Sequence, residues 1–189
     1  THCISSAASD VYKRQGEQGV VTAPKPVGCT GPILDPTPGA KSTKYTGGVT
    51  AVCAGSSAFP GAGILAATGA VRATPSMVRV VGNDSVTTSL PEVVPHASAQ
   101  EKVHAQAWVI GPGRGTDPEA AAELRAVLKR GLPTIIDADA LTVLSTYGDL
   151  RELVRDHPCA VLTPHAGEFE RLYKACLLYT SDAADDMQC

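Results

Sequence analysis

Three short stretches of this chain hold residue types that can do chemistry, and each follows an apolar run. "GPGRGTD", residues 111–117, places Gly111, Gly113 and Gly115 where a backbone can approach a ligand closely, ahead of a helix start whose free N–H groups attract anions. "IIDADAL", residues 135–141, carries Asp137 and Asp139, which can bind a cation, contact a ligand hydroxyl or cap the next helix. Capping accounts readily for one carboxylate and not for both. "VLTPHAGE", residues 161–168, sets His165 between a proline that fixes the turn and Gly167 at a helix start. An imidazole held there can stack on a ring or hydrogen-bond an amide. Glu168, in the first helical turn, suits the helix dipole and needs no further role.

Each stretch also has a plainer reading. A glycine loop alone is a flexible strand-to-helix turn, and an isolated histidine usually bonds nearby backbone. "GPGRG" is not GxGxxG and lacks the Lys and Ser/Thr of a P-loop, so neither nucleotide fingerprint is present. Lys44, in "KYTGG", either meets a phosphate or stands solvated. His96, His104 and His157 read as surface residues, and Trp108, on an apolar strand, reads as core.

The elements that must position the three loops are short apolar runs alternating with helical patterns. "GVTAVCAG" (48–55), "MVRVVG" (77–82), "AWVIG" (107–111), "TIIDAD" (134–139) and "CAVLTP" (159–164) are expected strands. "PGAGILAATGAVRA" (60–73) opens on a proline, as helices can. "DPEAAAELRAVLKRG" has Asp117 as N-cap, Pro118 at the first helical position and Gly131 as the stop. Helical patterns also follow the last two strands, at 140–156 and 167–175. Such alternation predicts an α/β fold of three layers, a mostly parallel sheet covered on both faces. In such sheets the ligand crevice lies beyond the carboxyl ends of the strands, so all three loops would share one edge.

The ends of the chain read differently. A DNA sequence encoding "DVYKRQ" (10–15), read on its opposite strand one base out of frame, yields "CLLYT" (176–180), and its continuation yields "SDAAD". Residues 1–15 and 176–189 are therefore expected to be translated adapter DNA from a sequencing library, foreign to the fold. Residues 16–43, rich in proline and glycine, read as a linker or the remnant of a preceding domain, and residues 44–175 as the fold proper.

Without the two ends the chain has 14 basic and 15 acidic residues, a balance that gives no case for a nucleic-acid or membrane partner. Cys29, Cys53 and Cys159 are widely spaced, with no CxxC, and read as reduced residues of a cytoplasmic protein. No apolar run approaches the roughly 20 residues of a membrane span.

Taken in order, "KYTGGVTAVCAGSSAFPGAGILAATGAVRATPSMVRVVG", "AWVIGPGRGTD", "PTIIDADALTVLS" and "VLTPHAGEFERL" resemble the ADP/ATP-dependent NAD(P)H-hydrate dehydratases, and the last motif is the most specific. The resemblance implies a ribokinase-like fold, here C-terminally truncated, with residues 44–175 forming the N-terminal part of the dehydratase domain. It implies a metabolite-repair lyase that uses ADP or ATP, with Mg, to phosphorylate the C6 hydroxyl of (S)-NAD(P)H hydrate and eliminate phosphate. Ala62, Gly113 and His165 are then expected to contact the hydrated cofactor. Gly111, Gly115, Asp137 and Asp139 would form a phosphate or cation loop, with Mg held by Asp137 or Asp139.

Two departures from the family pattern stand out. Thr43 occupies the place of a histidine found before the lysine in many relatives. The Lys-Gly segment and the "GSGD" loop, whose aspartate the resemblance makes the catalytic base, do not occur in the chain. The polypeptide is therefore expected to be inactive by itself. The resemblance also implies homo-oligomers of the intact protein and frequent fusion to an epimerase domain. A ribokinase-fold kinase of a vitamin-precursor alcohol and a non-catalytic nucleotide-binding module are the competing readings.

Overall fold

A computed structural model describes residues 39–73 and 76–185, with side chains to Cys176. The expectations for residues 1–38 lie outside the described residues. The sheet has six strands: β1 (Thr50–Cys53), β2 (Val78–Val81), β3 (Val94–His96), β4 (Ala107–Ile110), β5 (Thr134–Ile136) and β6 (Ala160–Leu162). All five pairings are parallel, in the order β3-β2-β1-β4-β5-β6. The chain builds outward from β1 to β3, then crosses back to lay β4 on the other side of β1. That reversal is the topological switch point of a doubly wound sheet, where crevices form.

Strand alternation sorts side chains into two cores. Ala51, Cys53, Trp108, Ile110 and Ile136 point to one face, and Val52, Val80 and Val109 to the other. The first face is covered along its length by α3 (Pro118–Leu128), α4 (Asp139–Thr146), α5 (Gly148–Asp156) and α6 (Ala166–Asp185). The second is covered by α1 (Pro60–Ala73) and α2 (Ser85–Ser89), which pack on Val52, Val78 and Val80. Over β5 and β6 that second face is bare: Ile135 is 42% and Val161 47% exposed. The expected three-layer arrangement, a parallel sheet with helices on both faces, is thus present, with Ile135 and Val161 left exposed among the described residues.

Local sequence accounts for most element ends. Asp117 accepts from the Ala120 N–H at 2.8 Å and Pro118 opens α3, leaving no unpaired donor to waste on the ring nitrogen. Arg125 of α3 bonds Asp149 of α5 at 2.6 Å, tying the two helices and holding that carboxyl below its usual range. The single helical pattern over 140–156 is broken at Tyr147, whose extended backbone (φ −106°, ψ 111°) separates α4 from α5. Trp108 is buried as expected, with the Arg130 guanidinium 4.9 Å from its ring. His96 and His157 correct the surface reading. The former is half-buried with its Nε2 2.7 Å from the Arg79 guanidinium, and the latter accepts from the Cys159 N–H at 3.2 Å. Among the described residues no helix is long and apolar enough to cross a membrane.

Candidate functional site

The three loops lie where the strand rule puts them, at the carboxyl edge, and hydrogen bonds join two of them. Gly111 donates its N–H to Cys53 O at 3.2 Å, and Gly55 donates to Pro112 O at 2.7 Å, so the turn after β4 is stitched to the turn after β1. On its other side Gly111 lies against the loop after β5, so close that any Cβ would overlap the Asp137 carbonyl. Gly115 then donates its N–H to Asp139 Oδ2 at 2.9 Å. This bond gives the second carboxylate its purpose. Asp139 does not cap its own helix; it holds the glycine loop. The Asp137 carboxylate has no hydrogen-bond partner among the described residues and stays free for a cation or a ligand hydroxyl.

Gly113 faces the first turn of α1: a Cβ there would come within 2.7 Å of Ala62 Cβ and 3.0 Å of Phe59 Cβ. Two of the three expected cofactor contacts, Ala62 and Gly113, are therefore in contact. Small residues on both sides leave their backbones open to a ligand. His165 lies at the mouth of β6, two strands from β4, or about 10 Å along the edge at the usual strand spacing. Its loop is anchored by Thr163, whose N–H bonds Ile136 O at 3.2 Å.

His165 and Glu168 form a reciprocal cap on α6. The Gly167 N–H donates to His165 Nδ1 at 3.1 Å, while the His165 N–H donates to Glu168 Oε2 at 3.0 Å. Glu168, nearly buried, thus does more than meet a helix dipole. Since Nδ1 accepts, the neutral ring carries its proton on Nε2, which lies 3.4 Å from Glu168 Oε1 on a side chain that is 70% exposed. The rest of the exposed ring stays open to a ligand.

Lys44 is not part of this edge. It precedes β1, at the amino ends of the strands, and its ammonium lies 5.1 Å from the Tyr45 ring. Of its two readings, the solvated lysine stands. Among the described residues no group of three or more His, Cys, Asp or Glu side chains could cage a metal. Magnesium does not require such a cage, since one or two carboxylates beside substrate phosphates suffice.

One backbone feature between the aspartates is strained. Ala138 has φ 51° and ψ −119°, a conformation that glycine adopts freely and alanine does not. It lies between the Asp137 carbonyl, which packs on Gly111, and the Asp139 carboxylate, which takes the Gly115 N–H. Ala138→Gly is expected to raise stability by about 1 kcal/mol in denaturant unfolding, part of the strain recovered being offset by chain entropy.

The sequence reading missed Arg114. Its side chain turns inward, donating from Nε to Glu123 Oε2 at 2.9 Å, from a terminal nitrogen to Glu123 Oε1, and from the other to Gly55 O at 2.8 Å and Gly82 O at 3.1 Å. A signal existed: Glu123 lies among Ala120, Ala121, Leu124 and Val127 on the buried stripe of α3, where a carboxylate needs a partner. Cys53 lies on the same carboxylate, 3.7 Å from Oε2. Burial, and then the Glu123 charge, push its thiol up to about 12. Cys53 is therefore expected to resist iodoacetamide in the folded chain while the exposed Cys159 is alkylated, as peptide mass mapping would register.

The family model described as NAD(P)H-hydrate dehydratase matches residues 50–188. The chain is 47% identical over 143 residues to the bifunctional NAD(P)H-hydrate repair enzyme Nnr of Corynebacterium glutamicum, covering 74% of this chain and 25% of that protein. Among solved structures, the ADP/ATP-dependent NAD(P)H-hydrate dehydratase of Bacillus subtilis, co-crystallised with ATP and Mg2+, superposes with TM-score 0.58 at 31% identity, over 72% of this chain and 51% of that one. A ribokinase-like superfamily protein of Enterococcus faecalis superposes with TM-score 0.62 at 25% identity, over 72% and 51%. The chain thus spans about a quarter of the curated relative and half of the solved ones.

Proposed function

The chain belongs to the NAD(P)H-hydrate dehydratase family, and from that premise we propose that its crevice is the substrate side of a cytoplasmic metabolite-repair enzyme. In this reading the enzyme dehydrates NAD(P)H hydrate at the expense of ADP or ATP. The observation that carries the reading is the junction of Gly113 with Ala62 beside the Gly115–Asp139 bond. It builds a shallow, side-chain-poor edge against which a cofactor's sugar and phosphate backbone can lie. His165 stands further along the same edge, its exposed ring held by Gly167 and Glu168 and suited to stack on, or hydrogen-bond, the altered nicotinamide ring.

The Asp137 carboxylate, or the Asp139 oxygen that Gly115 leaves free, would hold a magnesium ion, which would neutralise phosphate charge. This chain's own work is to bind and orient. The loops after β1, β4 and β5 place the cofactor, and His165 fixes the ring so that its C6 hydroxyl meets the phosphoryl donor. The dehydratase names of the relatives favour this reading over a vitamin-alcohol kinase.

A chimera continuing this chain into the remaining half of the Bacillus subtilis enzyme tests the proposal. With ADP or ATP and Mg2+, it is expected to restore the reduced-nicotinamide absorbance of NADH hydrate. Phosphorylation of a vitamin alcohol with no recovery of NADH would overturn it.

A further inference from the structure

Arg114 occupies the middle of the glycine loop, yet its guanidinium points away from the crevice and into the ends of the strands. Its side chain is 14% exposed and that of Glu123 6%, so both charges are held out of water. One guanidinium reaches three elements at once. Glu123 on α3 takes two of its nitrogens in a fork, and the third bonds the carbonyls that close β1 and β2, Gly55 O and Gly82 O. Gly82 has φ 69°, which turns its carbonyl to the guanidinium, and a Cβ there would lie 2.8 Å from both terminal nitrogens. Outside the loop its backbone bonds are those from the Gly55 N–H to Pro112 O and from the Gly115 N–H to Asp139. Between these two, the tie from the loop to the rest of the fold is the Arg114 side chain.

We propose that Arg114 is the positioning residue of the crevice, holding the glycine loop so that Gly113 meets Ala62 and the Gly115 N–H meets Asp139. Arginine suits the task because five donors in a rigid plane can satisfy a carboxylate and two carbonyls together, which a single ammonium cannot. The proposal rests on the reading of this edge as the cofactor crevice. Its geometric half can be tested without any ligand.

A purely structural role would predict that restoring stability restores the loop, whereas a positioning role predicts that it does not. Two variants of the full chain separate these. Arg114→Met with Glu123→Leu removes both charges and leaves an apolar contact, a replacement that often preserves stability. Arg114→Lys keeps a cation on Glu123 but loses the fork, and it carries the test if the double variant does not fold. Amide hydrogen exchange is followed by NMR at Gly115, with Val52 and Trp108 as reporters of the core, and NADH hydrate is titrated in parallel.

In a folded variant, Gly115 is expected to exchange at least about tenfold faster while the core amides stay within about twofold, and affinity for the hydrate is expected to fall about tenfold. Wild-type protection at Gly115 in either folded variant, or acceleration of all three amides together, overturns the positioning role. If the wild-type chain binds no hydrate but Gly115 still responds, the functional reading fails and the positioning role stands.

Discussion

Gly111→Ala is expected to destabilise the fold by about 4 kcal/mol, combining overpacking against a backbone carbonyl with a side chain forced into positive φ. Gly111 has φ 130°, and the obstacle to its Cβ is the Asp137 carbonyl, which cannot rotate away as a side chain would. Room could be made only by parting the β4 and β5 loops, which breaks the Asp137–Ile110 and Gly115–Asp139 bonds as well. Urea unfolding measures the loss, as a lower midpoint with an unchanged slope. Gly115→Ala is the control. Its φ of 85° costs about 1–2 kcal/mol, yet its Cβ has no neighbour nearer than 3.8 Å. A loss at Gly111 no greater than at Gly115 would show that the two loops are not packed as described.

The second large effect is at Arg114. Arg114→Met alone leaves the Glu123 carboxylate buried with the Cys53 thiol beside it and no cation. Stranding one partner of a buried pair costs about 3–5 kcal/mol. Adding Glu123→Leu removes the stranded charge and is expected to return the chain to within about 2 kcal/mol of the original. A double-mutant cycle by thermal or urea unfolding measures this coupling. Additive losses from the two substitutions would mean that the pair does not interact.

The sequence was most legible where a local rule acts alone. Pro60 and the small apolar residues behind it give α1 its observed bounds, and Asp117 with Pro118 start α3 where the capping rule puts them. The shared carboxyl edge followed from the alternation of apolar runs and helical patterns, with no knowledge of which strand pairs which. Less legible were features decided by tertiary contact. β3 holds three residues with Pro95 in the middle, a residue that speaks against a strand unless the strand is at an edge, as this one is. The α4–α5 break at Tyr147 carries no proline. The role of Asp139 stayed open between a cation, a ligand hydroxyl and a cap, because its partner, Gly115, is 24 positions away. The His165–Glu168 pair could have been found, since a polar cap followed three residues later by Glu is a local signature even when the cap is histidine.

The central claim is that the carboxyl edge, and not the bare apolar face, receives the hydrated cofactor. That face forms an open groove of about 440 Å3 between α1 and the strands, lined by residues such as Leu65, Val109, Ile135 and Val161, and it is the alternative place for a ligand to settle. Titrating NADH hydrate into the isotope-labelled chain and following backbone amides by NMR distinguishes the two. Saturable shifts are expected, largest at Ala62, Gly113, Gly115 and His165. Shifts confined to Leu65, Val109, Ile135 and Val161, or no saturable shift at all, would contradict it.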